Sequence, residues 1–296
     1  MPDQPNAVAK MLGVLGDEWT LLIAQQALLG GRRYAEFAGA LPISSAVLTS
    51  RLKSMVGDDL LIRREYQTRP SRSEYLTTAR SRALWPMLTS VWAWERAWVP
   101  DHAQPLPSMR HSLCRSSFAP RVACRACGEA VVHGEVSARW GPTGSWQRSI
   151  PASANRRRSP HRRSSAGVLF PQTMSVIGDR WAFALLVAAF VGVSRFTDFQ
   201  QQLGTPPGTI AARLSTFTAE EILARHDDGY ALTEKGRAFF PVLVCALHWA
   251  QNVFGDAQGP AVVLTHNRCG RRFVPVLECD RCGERLRGPH IIPVAG

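Results

Sequence analysis

The chain has 296 residues, 45% of them hydrophobic and 20% charged, enough apolar material for about two globular domains of roughly 100–150 residues each. Its longest apolar runs, such as Ala182 to Val193, fall short of the roughly 20 residues a membrane helix needs, and Met1 to Gln4 lead straight into polar sequence with no secretory signal. The net charge of +12 is uneven: residues 1–163 hold 23 Lys/Arg against 12 Asp/Glu, whereas residues 164–296 hold 12 against 11. A cytoplasmic, nucleoid-associated protein that engages a polyanion with its first half is the expectation, the alternative being a generally Arg-rich protein without such a partner.

The chain repeats itself. Gly16-Asp17-Glu18-Trp19 returns as Gly178-Asp179-Arg180-Trp181, and His111-x2-Cys114-x9-Cys124-x2-Cys127 returns as His266-x2-Cys269-x9-Cys279-x2-Cys282. A long internal period means one folding unit used twice.

In chain order, apolar spacing predicts a helix from Val8 to Leu29, ended by Gly30-Gly31, and a short helix over Tyr34–Ala40 that stops before Pro42. A third helix, capped by Ser44 or Ser45, runs to about Val56. Leu60–Arg64 and Glu74–Thr77 read as strands of a hairpin with a long polar tip, and a fourth helix spans Thr78–Trp98, kinked or restarted at Pro86. The second copy gives helices over Pro171–Val191, Phe196–Leu203 and Thr209–Glu220, a hairpin over Ile222–Thr233 and a helix over Glu234–Phe254. The repeat offset shortens inside this hairpin, whose tip is reduced to His226-Asp227-Asp228-Gly229. Between the copies, Ser137 to Ser165 contains seven Arg and no acid and reads as a flexible basic tether.

Three helices and a hairpin make a winged helix-turn-helix, whose third helix is sized for the major groove while the wing reaches phosphates or the minor groove. The expected fold class is α+β and mostly helical, with two winged helix-turn-helix domains, each followed by a small zinc-ribbon-like module. The boundaries are 1–100 for the first winged domain, 101–136 for its Cys-rich knuckle, 137–165 for the linker, 166–256 for the second winged domain and 257–296 for its knuckle.

The residues resemble the HxlR-type winged-helix regulators. The likeness rests on Gly16-Asp17-Glu18-Trp19, Gly30-Gly31-Arg32-Arg33-Tyr34-Ala35-Glu36-Phe37, Leu41-Pro42-Ile43-Ser44 and Leu48-Thr49-Ser50-Arg51-Leu52. Copy two adds Arg195-Phe196-Thr197-Asp198-Phe199, Ile210-Ala211-Ala212-Arg213-Leu214 and Tyr230-Ala231-Leu232-Thr233. It covers about residues 8–98 and 171–254 and implies a nonenzymatic, double-stranded-DNA-binding transcriptional regulator, usually a homodimeric repressor. Some members sense electrophiles through an N-terminal cysteine; this chain has Val14 and Leu15 in that stretch and no cysteine there.

The candidate DNA contacts are Arg33, Ser44, Ser45, Thr49, Arg51, Lys53, Arg63, Arg64, Arg69 and Arg72 in copy one, and Arg195, Thr209 and Arg213 in copy two. Alternatives stand beside them: Ser44 and Ser45 as helix caps, Arg51 and Arg213 as halves of internal ion pairs, Lys53 and the wing arginines as a solvated face. Gly204-Thr205-Pro206-Pro207-Gly208 and the acidic wing tip leave copy two a weak reader or a pairing partner.

His111, Cys114, Cys124 and Cys127, repeated as His266, Cys269, Cys279 and Cys282, supply three thiolates and an imidazole per copy, a sufficient set for one structural Zn²⁺ each. Each histidine has a surface role as its alternative, with water or another side chain completing the set, and reduced thiols or a redox pair are the other reading. Cys245 reads as a buried thiol.

Fused copies of this kind would form a pseudo-dimer within one chain, with recognition helices roughly 34–36 Å apart. A small-molecule effector between the domains and further homodimerisation of the tandem chain are compatible with it. The rival functions are an adaptor binding protein or RNA and a Cys-x2-Cys thiol-disulfide protein.

Overall fold

A computed structural model describes residues 4–69, 71–100, 102, 106–150, 170–177 and 180–294. Gly178, Asp179 and the Arg156–Arg163 cluster lie outside the described residues. No described helix is long and apolar enough to cross a membrane.

Copy one begins with α1 (Ala7–Leu15) and α2 (Glu18–Leu28). These replace the single helix expected over Val8–Leu29. The break falls at Asp17, which is extended and whose carboxylate accepts the Thr20 N–H at 3.0 Å and the Thr20 hydroxyl at 2.8 Å. A short acidic side chain competes with the helical backbone and starts a new helix instead. Next come α3 (Tyr34–Ala40) and α4 (Ser45–Gly57). Phe37, Leu22, Ile23, Leu48, Leu52 and Met55 bury themselves between these helices. Asp59 then takes a left-handed conformation at φ 57° and turns the chain into the wing, as Glu221 does in copy two at φ 59°.

The wing pairs β1 (Leu61–Thr68) with β2 (Ser71–Thr77), interrupted by a bulge between Glu65 and Gln67. Both strands run almost to the tip, so the expected long loop is a ladder. Thr78 and Ser81 form a capping box at α5 (Ala79–Arg82), and α6 (Trp85–Trp98) restarts with Pro86 in its first turn, as expected for a residue without an N–H.

The knuckle of copy one contributes β3 (Ser108–His111), β4 (Pro120–Cys124) and β5 (Val136–Trp140), followed by α7 (Trp146–Ser149). The first part of the expected tether is therefore ordered. Its alternating residues pair with a strand of copy two, and Ser145 caps α7 through the Arg148 N–H.

Copy two follows with α8 (Pro171–Ile177), α9 (Arg180–Phe190), α10 (Phe196–Leu203) and α11 (Pro207–Ala219). Its wing is β6 (Leu223–His226) with β7 (Gly229–Leu232), and α12 (Glu234–Arg237) leads to α13 (Phe240–Val253). Then come β8 (Val262–His266), β9 (Pro275–Cys279), a 3-10 turn over Gly288–His290 and β10 (Ile291–Val294). Phe199, Ile210, Leu214 and Phe217 fill the core at the positions of Phe37, Leu48, Leu52 and Met55.

The copies meet about an approximate two-fold axis. The Ser90 hydroxyl on α6 lies 3.9 Å from the Cys245 sulfur on α13, and these residues are equivalents, 155 positions apart. The Trp94 indole N–H donates to the Lys235 carbonyl at 3.0 Å, and its equivalent Trp249 donates to the Arg80 carbonyl at 2.9 Å. Strand β4 pairs with its own counterpart β9, with Val122 opposite Leu277. The outer pairs are reciprocal: β3 with β10 and β5 with β8. Such self-complementary contact is the signature of a two-fold interface, here made within one chain. Burial pushes the Cys245 thiol up to about 12, with the Ser90 hydroxyl pulling the other way, so it stays protonated at this seam.

Candidate nucleic-acid interface and metal centres

Helix α4 presents Ser45, Thr49 and Lys53 to solvent. Their spacing of four residues puts them on one stripe. Tyr34 buttresses it, its hydroxyl donating to the Ser45 carbonyl at 3.0 Å. Ser44 is the N-cap, its oxygen accepting from the Val47 N–H at 3.4 Å, so the cap role describes its side chain.

Arg51 faces inward instead. Its Nε lies 3.0 Å from Asp17 Oδ2, tying α4 to the start of α2. The internal pair is the arrangement seen, and Arg51 is not part of the exposed stripe. Arg213 occupies the corresponding half-buried place on α11 and also has a partner.

Arg33 stands just before α3, its guanidinium 5.3 Å from the Tyr66 ring centroid on the flank of the wing. Glu36 holds the Arg32 and Arg33 N–H groups at 2.6 and 2.9 Å, and those two backbone donors keep its carboxyl below the usual range. Within the wing, Arg63 Nε donates to Ser73 Oγ at 3.1 Å and Arg64 Nε to Glu74 at 2.8 Å, so Arg64 is partly neutralised. Arg69 and Arg72 stand exposed at the tip.

Copy two keeps the scaffold and loses the surface. The stripe of Ser45, Thr49 and Lys53 becomes Pro207, Ala211 and Ser215 on α11. Thr209 falls at the position of Val47, half-buried and off the stripe, which corrects its expected place on the reading face. Arg195 stands just before α10 and is exposed, as Arg33 is before α3. The short wing ends in exposed Asp227 and Asp228.

The cysteine modules hold a larger correction. The expected grouping was four ligands from one copy, but the structure exchanges them. His111 and Cys114 meet Cys279 and Cys282, while Cys124 and Cys127 meet His266 and Cys269. In the first cluster Cys114 Sγ is 3.5 Å from His111 Nδ1 and 3.9 Å from Cys279 Sγ, and Cys282 Sγ is 3.4 Å from His111 Nδ1. In the second, Cys127 Sγ is 3.4 Å from His266 Nδ1. Zinc bonds of about 2.3 Å to sulfur and about 2.1 Å to nitrogen would give tetrahedral edges of about 3.8 and 3.6 Å, so the donor sets fit the ion. Both histidines are fully buried and turn Nδ1 towards the sulfurs, and neither Nε2 has a hydrogen-bond partner among the described residues. The Ser116 amide holds the Cys114 thiol down, and the Arg271 amide does the same for Cys269, to about 7. Burial pushes Cys279 up, and against the pull of the Glu129 amide, burial and the neighbouring thiols push Cys127 up. In each cluster one cysteine, Cys114 or Cys269, therefore carries the thiolate bias a metal ligand needs. An ion here would supply cross-linking rather than chemistry, since each set has four protein donors and leaves no open position.

Sequence reasoning missed the exchange because the within-copy spacing was already sufficient for a metal. The signal for it lay elsewhere. Short strands around each motif meet their own copy only at isolated bridges, such as Arg110 with Ser117 and Glu278 with Arg285, and the remaining edge must be covered by something.

The description "HxlR-like helix-turn-helix" matches residues 14–103 and 176–258, more than half of the chain. An uncharacterised HTH-type transcriptional regulator of Mycobacterium tuberculosis is 33% identical over 134 residues, covering 42% of this chain and 84% of the relative. The uncharacterised HTH-type regulator YvaP of Bacillus subtilis is 34% identical over 91 residues, covering 30% of this chain and 84% of its own. A solved transcription-factor candidate from Pseudomonas aeruginosa shares 29% identity with a TM-score of 0.37, over 48% of this chain and 97% of that one. The chain belongs to the HxlR-like helix-turn-helix family, whose members are DNA-binding regulators rather than enzymes.

Proposed function

We propose that this protein is a sequence-specific double-stranded-DNA-binding transcriptional repressor that acts as a pseudo-dimer within one chain. The observation that carries the reading is the exposed stripe of Ser45, Thr49 and Lys53 on α4 beside the basic β1–β2 wing. A helix of this kind enters the major groove, and Arg63, Arg69 and Arg72 then reach phosphates alongside it. Copy one does most of the reading, with Arg33 at its flank. Copy two contributes weak contacts, chiefly through Arg195, and holds copy one in register. Repression follows from occupying promoter DNA, with release by an effector lodged between the copies. Two structural zinc ions, held by the exchanged ligand sets, fix the spacing of the winged domains.

Selection of bound DNA from a random duplex pool tests this. The native chain should enrich a defined motif. Arg69→Ala with Arg72→Ala should weaken binding to every sequence alike and leave the motif unchanged, because phosphate contacts carry affinity without sequence information. Each lost phosphate contact lowers the slope of log affinity against log salt by about 0.9, so the double variant should lose about two. Enrichment of no motif by the folded native chain would end the reading.

A further inference from the structure

A cavity of about 290 Å³ lies between the copies. Met11 and Leu12 of α1 form one wall, Ala184, Val187 and Phe190 of α9 another, and Leu247 of α13 the floor. Strands β5 and β8 close a further side through Val136 and Val262, and the mouth is covered by Trp140 and Trp146, whose rings meet edge to face at 5.2 Å. The covering segment is anchored from below. Asn6 donates from its side-chain amide to the Thr143 carbonyl at 3.2 Å and to Ser149 Oγ at 2.8 Å, and its backbone N–H bonds the Arg148 carbonyl at 3.0 Å.

The approximate two-fold axis explains why space is left on this side. In copy one Trp92 is buried, its indole N–H donating to the Pro107 carbonyl at 2.8 Å. The equivalent pair in copy two is Leu247 and Val262, both on the cavity wall. One half thus carries an indole where the other carries an isobutyl group. The α1 positions Met11 and Leu12 and the covering segment Trp146 to Ile150 complete the cavity.

The polar side chains on the walls are few: Gln202, which is exposed, and Ser149 and His133, beside Arg139. Ser149 is bonded to Asn6, and His133 Nε2 lies 3.4 Å from the Phe190 carbonyl with its ring against Phe190 at 4.8 Å. Among the described residues no carboxylate lines the cavity, and Arg139 on its wall is exposed. Away from Arg139 a buried charge would have no partner, so the enclosed part of the occupant must be neutral. An apolar cavity of about 150 Å³ takes one benzene ring, so about twice that volume suits two fused rings.

We propose that this cavity binds one neutral, planar, two-ring aromatic molecule per chain, and that this class supplies the effector. The inference deepens the effector part of the function proposed above and rests on it for its regulatory meaning. Walls from both copies mean that an occupant fixes how α1 sits against α9 and α13, and hence how the two winged domains are spaced.

Calorimetric titration of the intact protein with indole, and separately with 2-naphthol, tests it without DNA. One saturable site per chain is expected. Ala184→Leu places in the cavity the side chain that copy one already carries at Leu22, and Trp146→Ala removes half of the cover. Each should weaken binding at least tenfold while the melting temperature shows the variant folded. Should the leucine variant fail to fold, Trp146→Ala, at a half-buried position on the cover, carries the comparison. Absence of saturable binding to the native chain, or unchanged affinity in the folded variants, overturns the proposal. Since the titration contains no DNA, its failure leaves the DNA reading intact, and failure to select DNA leaves the titration intact.

Discussion

Arginine plays two different parts in copy one, and its surroundings decide which. Arg51 is half-buried against a carboxylate that also caps a helix, so its charge is used within the domain. Arg69 and Arg72 stand in water at the end of a ladder, where their charge is available to a partner. This separation predicts distinct losses. Asp17→Ala should lower stability by about 1–2 kcal/mol, because it removes an N-cap and strands Arg51 at once. Arg51→Ala should cost less than about 1 kcal/mol, the worth of a partly exposed pair. Chemical denaturation of both single variants and the double variant would show coupling between them. DNA affinity per folded Arg51→Ala molecule should stay within about twofold of native, since no groove contact is lost; a uniform tenfold weakening would instead return Arg51 to the interface.

At the scale of elements, the exchanged ligand sets make a prediction that the within-copy arrangement reverses. Cys114→Ala with Cys127→Ala alters two cysteines of one copy but one ligand of each cluster, and should empty both metal sites. Cys114→Ala with Cys282→Ala alters two copies but a single cluster, and should leave one metal ion per chain. Metal content by mass spectrometry of the intact protein separates the two cases, and the opposite pattern would restore the local grouping. The helices and wings were legible because a local rule sets each of them: 3.6-residue spacing, a Ser44 cap, a proline restart at Pro86. The ligand identities were legible from their repetition. Their partnership was not, since it depends on β3 pairing with β10 and β5 with β8 across more than a hundred residues, and no local pattern encodes that distance. The same limit hid the order in Val136–Trp140, whose arginine and serine resemble a tether until β8 covers the strand. Asp17 was misread for the opposite reason: apolar spacing continued through it, while one short carboxylate side chain was enough to divide the helix.

For the whole molecule, a tandem chain can do what identical subunits cannot, which is to let one half change while the other preserves the interface. The seam is kept as pairs of equivalents, Trp94 with Trp249 and Val122 with Leu277, because a change on either side would leave an indole N–H or a packed side chain without its partner. The outward faces carry no such constraint, and the stripe on α11 has become Pro207, Ala211 and Ser215. If that surface alone separates the copies, restoring it should restore reading. Ala211 and Ser215 are both exposed, so Ala211→Thr with Ser215→Lys rebuilds the outer part of the copy-one stripe without touching the core. Stability should change by less than about 0.5 kcal/mol, as for ordinary surface substitutions. Affinity should rise most on DNA carrying two inverted copies of the selected motif one helical turn apart, and least on a single copy. The new lysine should steepen the salt slope by about 0.9 if it meets a phosphate. An equal rise on single and inverted sites would mean only added charge. A rise confined to inverted sites would mean that α11 still sits where a second reading helix belongs, and that the loss of symmetry in this protein is a loss of side chains rather than of geometry.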